Sequence, residues 1–192
     1  MSTSPSQPPP SPPPSARRTE LLDACYAYLL EHGLTGLSLR PLAASTGTSP
    51  RVLLYLFGSK DELLRQLLAR ARHEQVTLMA AALDAPPADF QASVDRLWAF
   101  VSAPEQRPML RLTYEAFLLS LSHDPGPWAG FAGEAAREWL DLLVRAQPST
   151  PRTLAEARAT RALALIRGLL LDLLACEDPK RVAAAVRHGV TG

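Results

Sequence analysis

Between Gly33 and Glu62, residues that end helices and residues that begin them alternate so closely that only two short helices fit. Gly33 is placed to close a preceding helix, because a residue without Cβ completes the left-handed last turn at least cost. Ser38 stands where the next helix should be capped, and that helix turns Leu39, Leu42 and Ala43 inward. Gly47 permits a tight turn, and Ser49-Pro50 reads as an N-cap followed by proline at the first helical position. The helix so begun covers roughly residues 50–56, with Leu53 and Phe57 facing in, and Gly58 breaks it. Ser59-Lys60-Asp61-Glu62 has the form of a capping box and opens a long helix running to about Leu83.

The rest of the chain carries the same 3.6-residue rhythm. Leu21, Leu22, Cys25, Tyr28 and Leu29 recur at three and four residues, marking an amphipathic helix from Arg17. Further helices are expected over 89–103, 105–122, 128–145 and 153–176, with a short tail helix over 179–188. The breaks fall at Ala85-Pro86-Pro87, Ala103-Pro104, Asp124-Pro125-Gly126-Pro127, Gln147-Pro148 and Asp178-Pro179, where the proline ring removes an amide donor and cannot continue a helix. No stretch alternates with β-branched residues at a period of two. The fold class is therefore all-α, with a three-helix helix-turn-helix head on a larger helical body. Residues 1–15 are almost wholly proline and serine and are expected to form a disordered, polyproline-like arm. The expected divisions are an arm over 1–15, a head over 16–65 and a body over 66–192.

Composition narrows the function classes. Twenty lysines and arginines face nineteen acids, a net charge of +1 that excludes a polybasic nucleic-acid coat. Position matters more than the total. No acid occurs over 32–60, whereas Arg40, Arg51 and Lys60 lie there, with Arg17 and Arg18 near the start of the first helix. Residues 16–75 hold eight basic and six acidic side chains, and the remainder holds twelve and thirteen. Cys25 and Cys176 have no metal-ligand spacing and read as packing residues in a reducing compartment. The most apolar stretch, 162–176, is interrupted by Arg167 and Asp172 and is too short for a membrane span, and no signal-peptide layout is present. His32, His73, His123 and His188 are scattered, and no nucleotide-loop, nucleophile-elbow or metalloprotease motif appears, so neither an enzyme nor a metal or cofactor site is expected.

The segments over 19–33, 38–49 and 53–63 together resemble the N-terminal domain of TetR-family transcriptional regulators, a likeness covering about residues 17–65. The resemblance implies a homodimer that binds a palindromic operator on double-stranded DNA, usually as a repressor, and is released by a small-molecule effector, while the cysteine usage leads us to expect the cytoplasm. By the same resemblance, Ser38 is a phosphate contact, Thr48 and Ser49 form the turn and cap of the recognition helix, and Pro50 and Arg51 are its groove-facing start. Lys60 matches a phosphate-pairing lysine, Ala43 and Gly47 match small packing positions, and Leu53 and Phe57 match the head's core. Arg40 joins these candidates through its charge.

The recognition helix departs from the family pattern, with Leu54 and Leu56 where many relatives carry tyrosine and a polar residue such as histidine. Tyr55 alone keeps an aromatic hydroxyl there. Leu54 is placed either to meet a thymine methyl or to pack, and Leu56 is read as packing. These departures keep a second reading open, a helical ligand- or protein-binding module with weakened or lost DNA binding.

In the body, Trp98, Met109, Tyr114, Phe117, Leu118, Leu121, Trp128 and Arg167 are the candidate lining of a pocket for a small apolar effector. Phe131 and Trp139 belong to the same aromatic set. Glu115, Arg167 and Asp172 interrupt apolar faces and need partners if buried, Glu115–Arg167 being one such pairing. Leu163, Ile166, Leu169, Leu170, Leu173 and Leu174 make an apolar surface broad enough for a dimer seam.

Overall fold

The computed structural model describes residues 14–83, 89–176 and 178–189, without the side chains of Pro14 and 187–189. The arm through residue 13, the Ala85-Pro86-Pro87 break and the His188 side chain lie outside the described residues.

The described residues are all-helical: α1 (Pro14–His32), α2 (Leu39–Ser45), α3 (Pro50–Phe57), α4 (Lys60–Ala82), α5 (Phe90–Val101), α6 (Arg107–Ser120), α7 (Phe131–Arg145), α8 (Arg152–Ala175) and α9 (Pro179–Gly189). Short 3₁₀ turns at Pro104–Gln106 and Gly126–Trp128 precede α6 and α7. Trp128 therefore stands in a turn before α7, because Gly130, with φ of 82°, separates the two. Helix α1 begins at Pro14, inside the span assigned to the arm, since proline is tolerated in a first turn.

The caps act largely as their sequence implies. Ser49 Oγ accepts from the Val52 amide at 3.3 Å, and Ser59 Oγ accepts from the Glu62 amide at 3.0 Å. Only half of the expected capping box forms, because the Glu62 carboxylate accepts from Gln66 and Arg65 further along its own helix. Ser38 has the extended backbone of an N-cap, but its side chain makes no capping bond.

Two apolar clusters organise the packing. The first joins Leu21, Cys25 and Leu29 of α1 to Leu42, Leu53, Phe57 and the α4 leucines, and continues into Met109, Leu112 and Ala116 of α6. The second packs α5, α7, α8 and α9 around Leu97, Leu143, Ile166 and Leu170. Helix α4 contributes to both and runs unbroken through residue 65, where the head was expected to end. Burial pushes the Cys25 thiol up to about 11, so it packs as a neutral side chain.

Arg18 ties the head together. Its Nε donates to the Leu56 carbonyl at 3.3 Å, its NH2 donates to Gln66 Oε1 at 2.5 Å, and its guanidinium lies 5.1 Å from the centre of the Phe57 ring. One side chain thus joins α1 to the end of α3 and the second turn of α4. Arg17, by contrast, makes only an exposed pair with Glu20. Arg18→Leu is expected to lower unfolding free energy by about 1–3 kcal/mol, whereas Arg17→Leu changes it by less than about 1 kcal/mol. Denaturant midpoints of the two variants test the contrast, and equal midpoints would remove Arg18 from the head's framework.

Candidate DNA-binding face and effector cavity

The eight residues of α3 have two faces. Leu53 and Phe57, four apart, are buried, and Leu56 is half-buried against the same cluster. Arg51 and Tyr55, also four apart, project from the opposite side, and Tyr55 is 86% exposed. Leu54 is 40% exposed and Val52 38%, one on each flank of that pair. Val52 was not singled out from the sequence, although its place one residue before Leu53 puts it off the buried side. Of the two departures from the family pattern, Leu56 belongs to packing and Leu54 to the surface.

The α2–α3 turn holds this helix in place. Gly47 adopts φ of 63°, and the half-buried Thr48 turns back through its amide onto the Ala43 carbonyl at 2.9 Å. Ser38, Arg40, Ser49 and Pro50 are exposed. Lys60 Nζ donates to the Leu37 carbonyl at 2.7 Å, which fastens the start of α4 beside Ser38. The structure therefore brings Lys60 and Ser38 together and gives Lys60 a structural bond.

The eight sequence candidates for the effector pocket separate. Tyr114, Phe117 and Arg167 meet in a cavity among α4, α6, α7 and α8, with Gln75, Leu110, Thr113, Ala135, Trp139 and Leu170. The cavity is small, with a volume of about 20 Å³, enough for roughly one water. Tyr114 Oη donates to the Arg167 main-chain carbonyl at 2.7 Å, and burial pushes the Tyr114 hydroxyl up to about 12. The Arg167 guanidinium lies 4.9 Å from the centre of the Phe117 ring.

The other five lie elsewhere. Leu118 and Leu121 are 64% and 65% exposed, because they occupy the outer side and the end of α6. Met109 accepts from Tyr26 Oη at 3.4 Å within the first cluster, Trp128 packs against that cluster, and Trp98 packs against the second. A larger open groove of about 780 Å³ lies among α4, α5 and the α7–α8 connection, lined by Leu83, Asp89, Leu142, Arg145 and Arg158 among others.

Glu115 does not pair with Arg167. It reaches into the head, where Oε2 accepts from the Leu34 amide at 2.5 Å, just beyond the end of α1. Gly33, with φ of 74°, makes the approach possible, since a Cβ there would stand 2.9 Å from Glu115 Oε1. The neighbours of Glu115 on α6, Tyr114 and Phe117, line the cavity. One helix thus carries both the cavity wall and the contact to the head. Nothing in the sequence paired residues 81 apart, and only the glycine hinted at a close approach.

Among the described residues no cluster of His, Cys, Asp and Glu could hold a metal ion, and no helix is long and apolar enough to cross a membrane.

A family model described as bacterial regulatory proteins, tetR family, matches residues 21–67. Over 182 residues the chain is 29% identical to the HTH-type transcriptional regulator BetI of Burkholderia thailandensis, covering 89% of this chain and 88% of that protein. Two solved structures share the fold over nearly the full length. One, described as a transcriptional regulator from Saccharomonospora viridis in complex with choline, matches with a TM-score of 0.72 at 21% identity, over 91% of this chain and 93% of that one. The other, the multidrug binding protein EbrR complexed with proflavin, matches with a TM-score of 0.66 at 26% identity, over 89% and 96%.

Gly33→Ala should lose about 1–2 kcal/mol from its left-handed backbone, and more from displacing Glu115. In a Glu115→Ala background the steric part should vanish, so a double-mutant cycle of unfolding free energies should show coupling. Strict additivity would mean that the contact does not form.

Proposed function

The chain belongs to the TetR family of DNA-binding transcriptional regulators, a family of non-enzymes, and on that premise we propose that it is a ligand-responsive repressor. In this reading it acts in the cytoplasm as a homodimer on a palindromic operator and lets go when a small, largely apolar effector enters the α4–α6–α7–α8 cavity. The observation that carries the reading is the outward face of α3. Arg51 and Tyr55 stand at its centre, set by the Ser49 cap and free of acids from residue 32 to residue 60.

Arg51 offers a fork of donors for guanine or phosphate, and Tyr55 offers a hydroxyl. Leu54 and Val52 are apolar enough to meet thymine methyls on either flank. Ser38, Arg40, Thr48 and Lys60 then serve the backbone, where contacts position the head without reading sequence, and Pro50 begins the groove-facing turn. The packing of Leu56 against the head leaves Leu54 as the remaining departure at the surface, which weakens the case for a module without DNA affinity.

Support for a dimer comes from α8. Leu163, Ile166, Leu170 and Leu173, expected at the seam, are buried within the single chain, with Leu169 and Leu174 half-buried. The surface left over is a stripe of Ala164, Gly168, Leu171 and Ala175, all exposed. Small residues at that spacing let a second helix approach closely. Two heads about 34–36 Å apart would then address successive major grooves.

Release follows from α6. An effector has to part the walls of so small a cavity, and Tyr114 and Phe117 are two of them. Moving them moves Glu115, which holds the Leu34 amide behind the head. The choline and proflavin of the structural relatives support a small-molecule effector as a class. Choline is a cation, however, and this cavity presents an arginine.

Selection of random duplexes by the purified full chain is the test. Enrichment of a palindrome with half-sites about one helical turn apart is expected, with log affinity falling by about 0.9 per phosphate contact as log salt rises. Arg51→Ala should relax base preference, whereas Lys60→Ala should weaken binding to all sequences alike. Selection that enriches no sequence would overturn the regulator reading in favour of the ligand-binding module.

A further inference from the structure

Among the described residues Arg167 is the one cation lining the α4–α6–α7–α8 cavity, and no aspartate or glutamate lines it. Its guanidinium makes no hydrogen bond and no ion pair among the described residues. The two acids that interrupt the same apolar faces are engaged elsewhere, Glu115 by the Leu34 amide and Asp172 by Arg181 at 2.6 Å. What Arg167 does have is an orienting surface: the Phe117 ring lies under the guanidinium, and Tyr114 Oη binds the main-chain carbonyl rather than the side chain. Among the described residues all five donors of the fork are left without a protein acceptor.

A half-buried cation without a counter-charge is unfavourable unless something completes it. Burial accordingly pulls the Arg167 pKa below its ordinary value. Gln75, buried on α4, and Thr113 on α6 add an amide and a hydroxyl that also have no side-chain hydrogen bond among the described residues. The remaining walls are apolar or aromatic.

We propose that this cavity, once its walls part, selects an apolar monocarboxylate, its carboxylate held bidentately by Arg167 with Gln75 and Thr113 beside it, and its hydrocarbon part against Trp139 and Leu170. A planar carboxylate matches the guanidinium fork and needs few further donors. A phosphate would bring more charge and more acceptor sites than one arginine, one amide and one hydroxyl can satisfy, and a cation would meet Arg167 unfavourably. The inference rests on the reading of the cavity as the effector site.

The test is calorimetric titration of the full chain with octanoate, 1-octanol and octyltrimethylammonium. Octanoate should bind at least about tenfold more tightly than either of the others. Arg167→Gln should reduce octanoate to the level of octanol, and Arg167→Lys should restore part of the preference as a point charge without the fork. Thermal midpoints of the unliganded Arg167→Gln protein should be equal to or higher than those of the parent, because an uncompensated charge is removed.

Octyltrimethylammonium binding as well as octanoate, a preference that survives Arg167→Gln, or no binding of any of the three would each overturn the inference. A lowered midpoint together with a sedimentation shift toward monomer in Arg167→Gln would also overturn it, since Arg167 would then pair with an acid of a second copy. Operator selection is scored separately. A carboxylate preference without an enriched operator keeps this inference and discards the repressor; an enriched operator without the preference does the reverse.

Discussion

The head's apolar core is not closed within the head but runs on into the body, and that constraint governs the rest of the structure. Helices of seven and eight residues cannot bury enough apolar surface to hold themselves together. Leu42, Leu53 and Phe57 are buried because α1 and α4 close over them, and the same cluster runs on into Met109, Leu112 and Ala116 of α6. A recognition helix mounted this way takes its position from the body, so rearrangement of α6 alters the support on which the head rests. The exposed face of α3 is left free because its packing needs are met by only three of its eight residues.

Polar contacts add direction to that packing. Arg72 on α4 pairs with Glu134 and Glu138 of α7, and Arg70 on α4 pairs with Asp23 of α1 at 2.9 Å. Arg18 fixes α1 to the α3–α4 corner, and Lys60 fixes α4 to the loop before α2. Helix α4 is thus fastened on several sides, whereas the α6 contact to the end of α1 is made through Glu115 and Leu34. The apolar cluster supplies adhesion without orientation, and these bonds determine how the helices sit within it.

Local chemistry was the legible part of the sequence. Ser49, Ser59, Gly47, Gly58 and the prolines act within one helical turn of themselves, so their roles follow from residue type and spacing alone. The inward placement of Leu53 and Phe57 followed from periodicity in the same way. What periodicity could not supply was the choice among several apolar residues on a helix. Leu118 and Leu121 have the composition of pocket lining but sit where α6 faces outward, while Trp139, on α7, lines the cavity. Charged residues were harder still. Arg18 read as surface charge and is a tie across three helices, and Glu115 and Arg167, which appeared complementary, serve different neighbours. Ion pairing depends on contacts between distant segments, which the spacing of charges along one chain does not encode.

The scale of the Glu115 contact bears on how little structural change the proposed release requires. A hydrogen bond to a charged group contributes about 1.5–3 kcal/mol, and coupling between effector and operator needs only about 1–3 kcal/mol. One carboxylate on the Leu34 amide is therefore of the right size to carry the coupling by itself. The burial that holds the head to α6 is several times larger, since each leucine fully removed from water contributes roughly 1.5–3 kcal/mol. An effector that disturbs Tyr114 and Phe117 can break the smaller interaction while leaving the larger intact. On those magnitudes the proposed release needs the head to shift only as a folded unit on a retained apolar contact. Were the coupling carried by the core itself, release would require opening the cluster that keeps Leu42, Leu53 and Phe57 buried, and α3 would lose its fold.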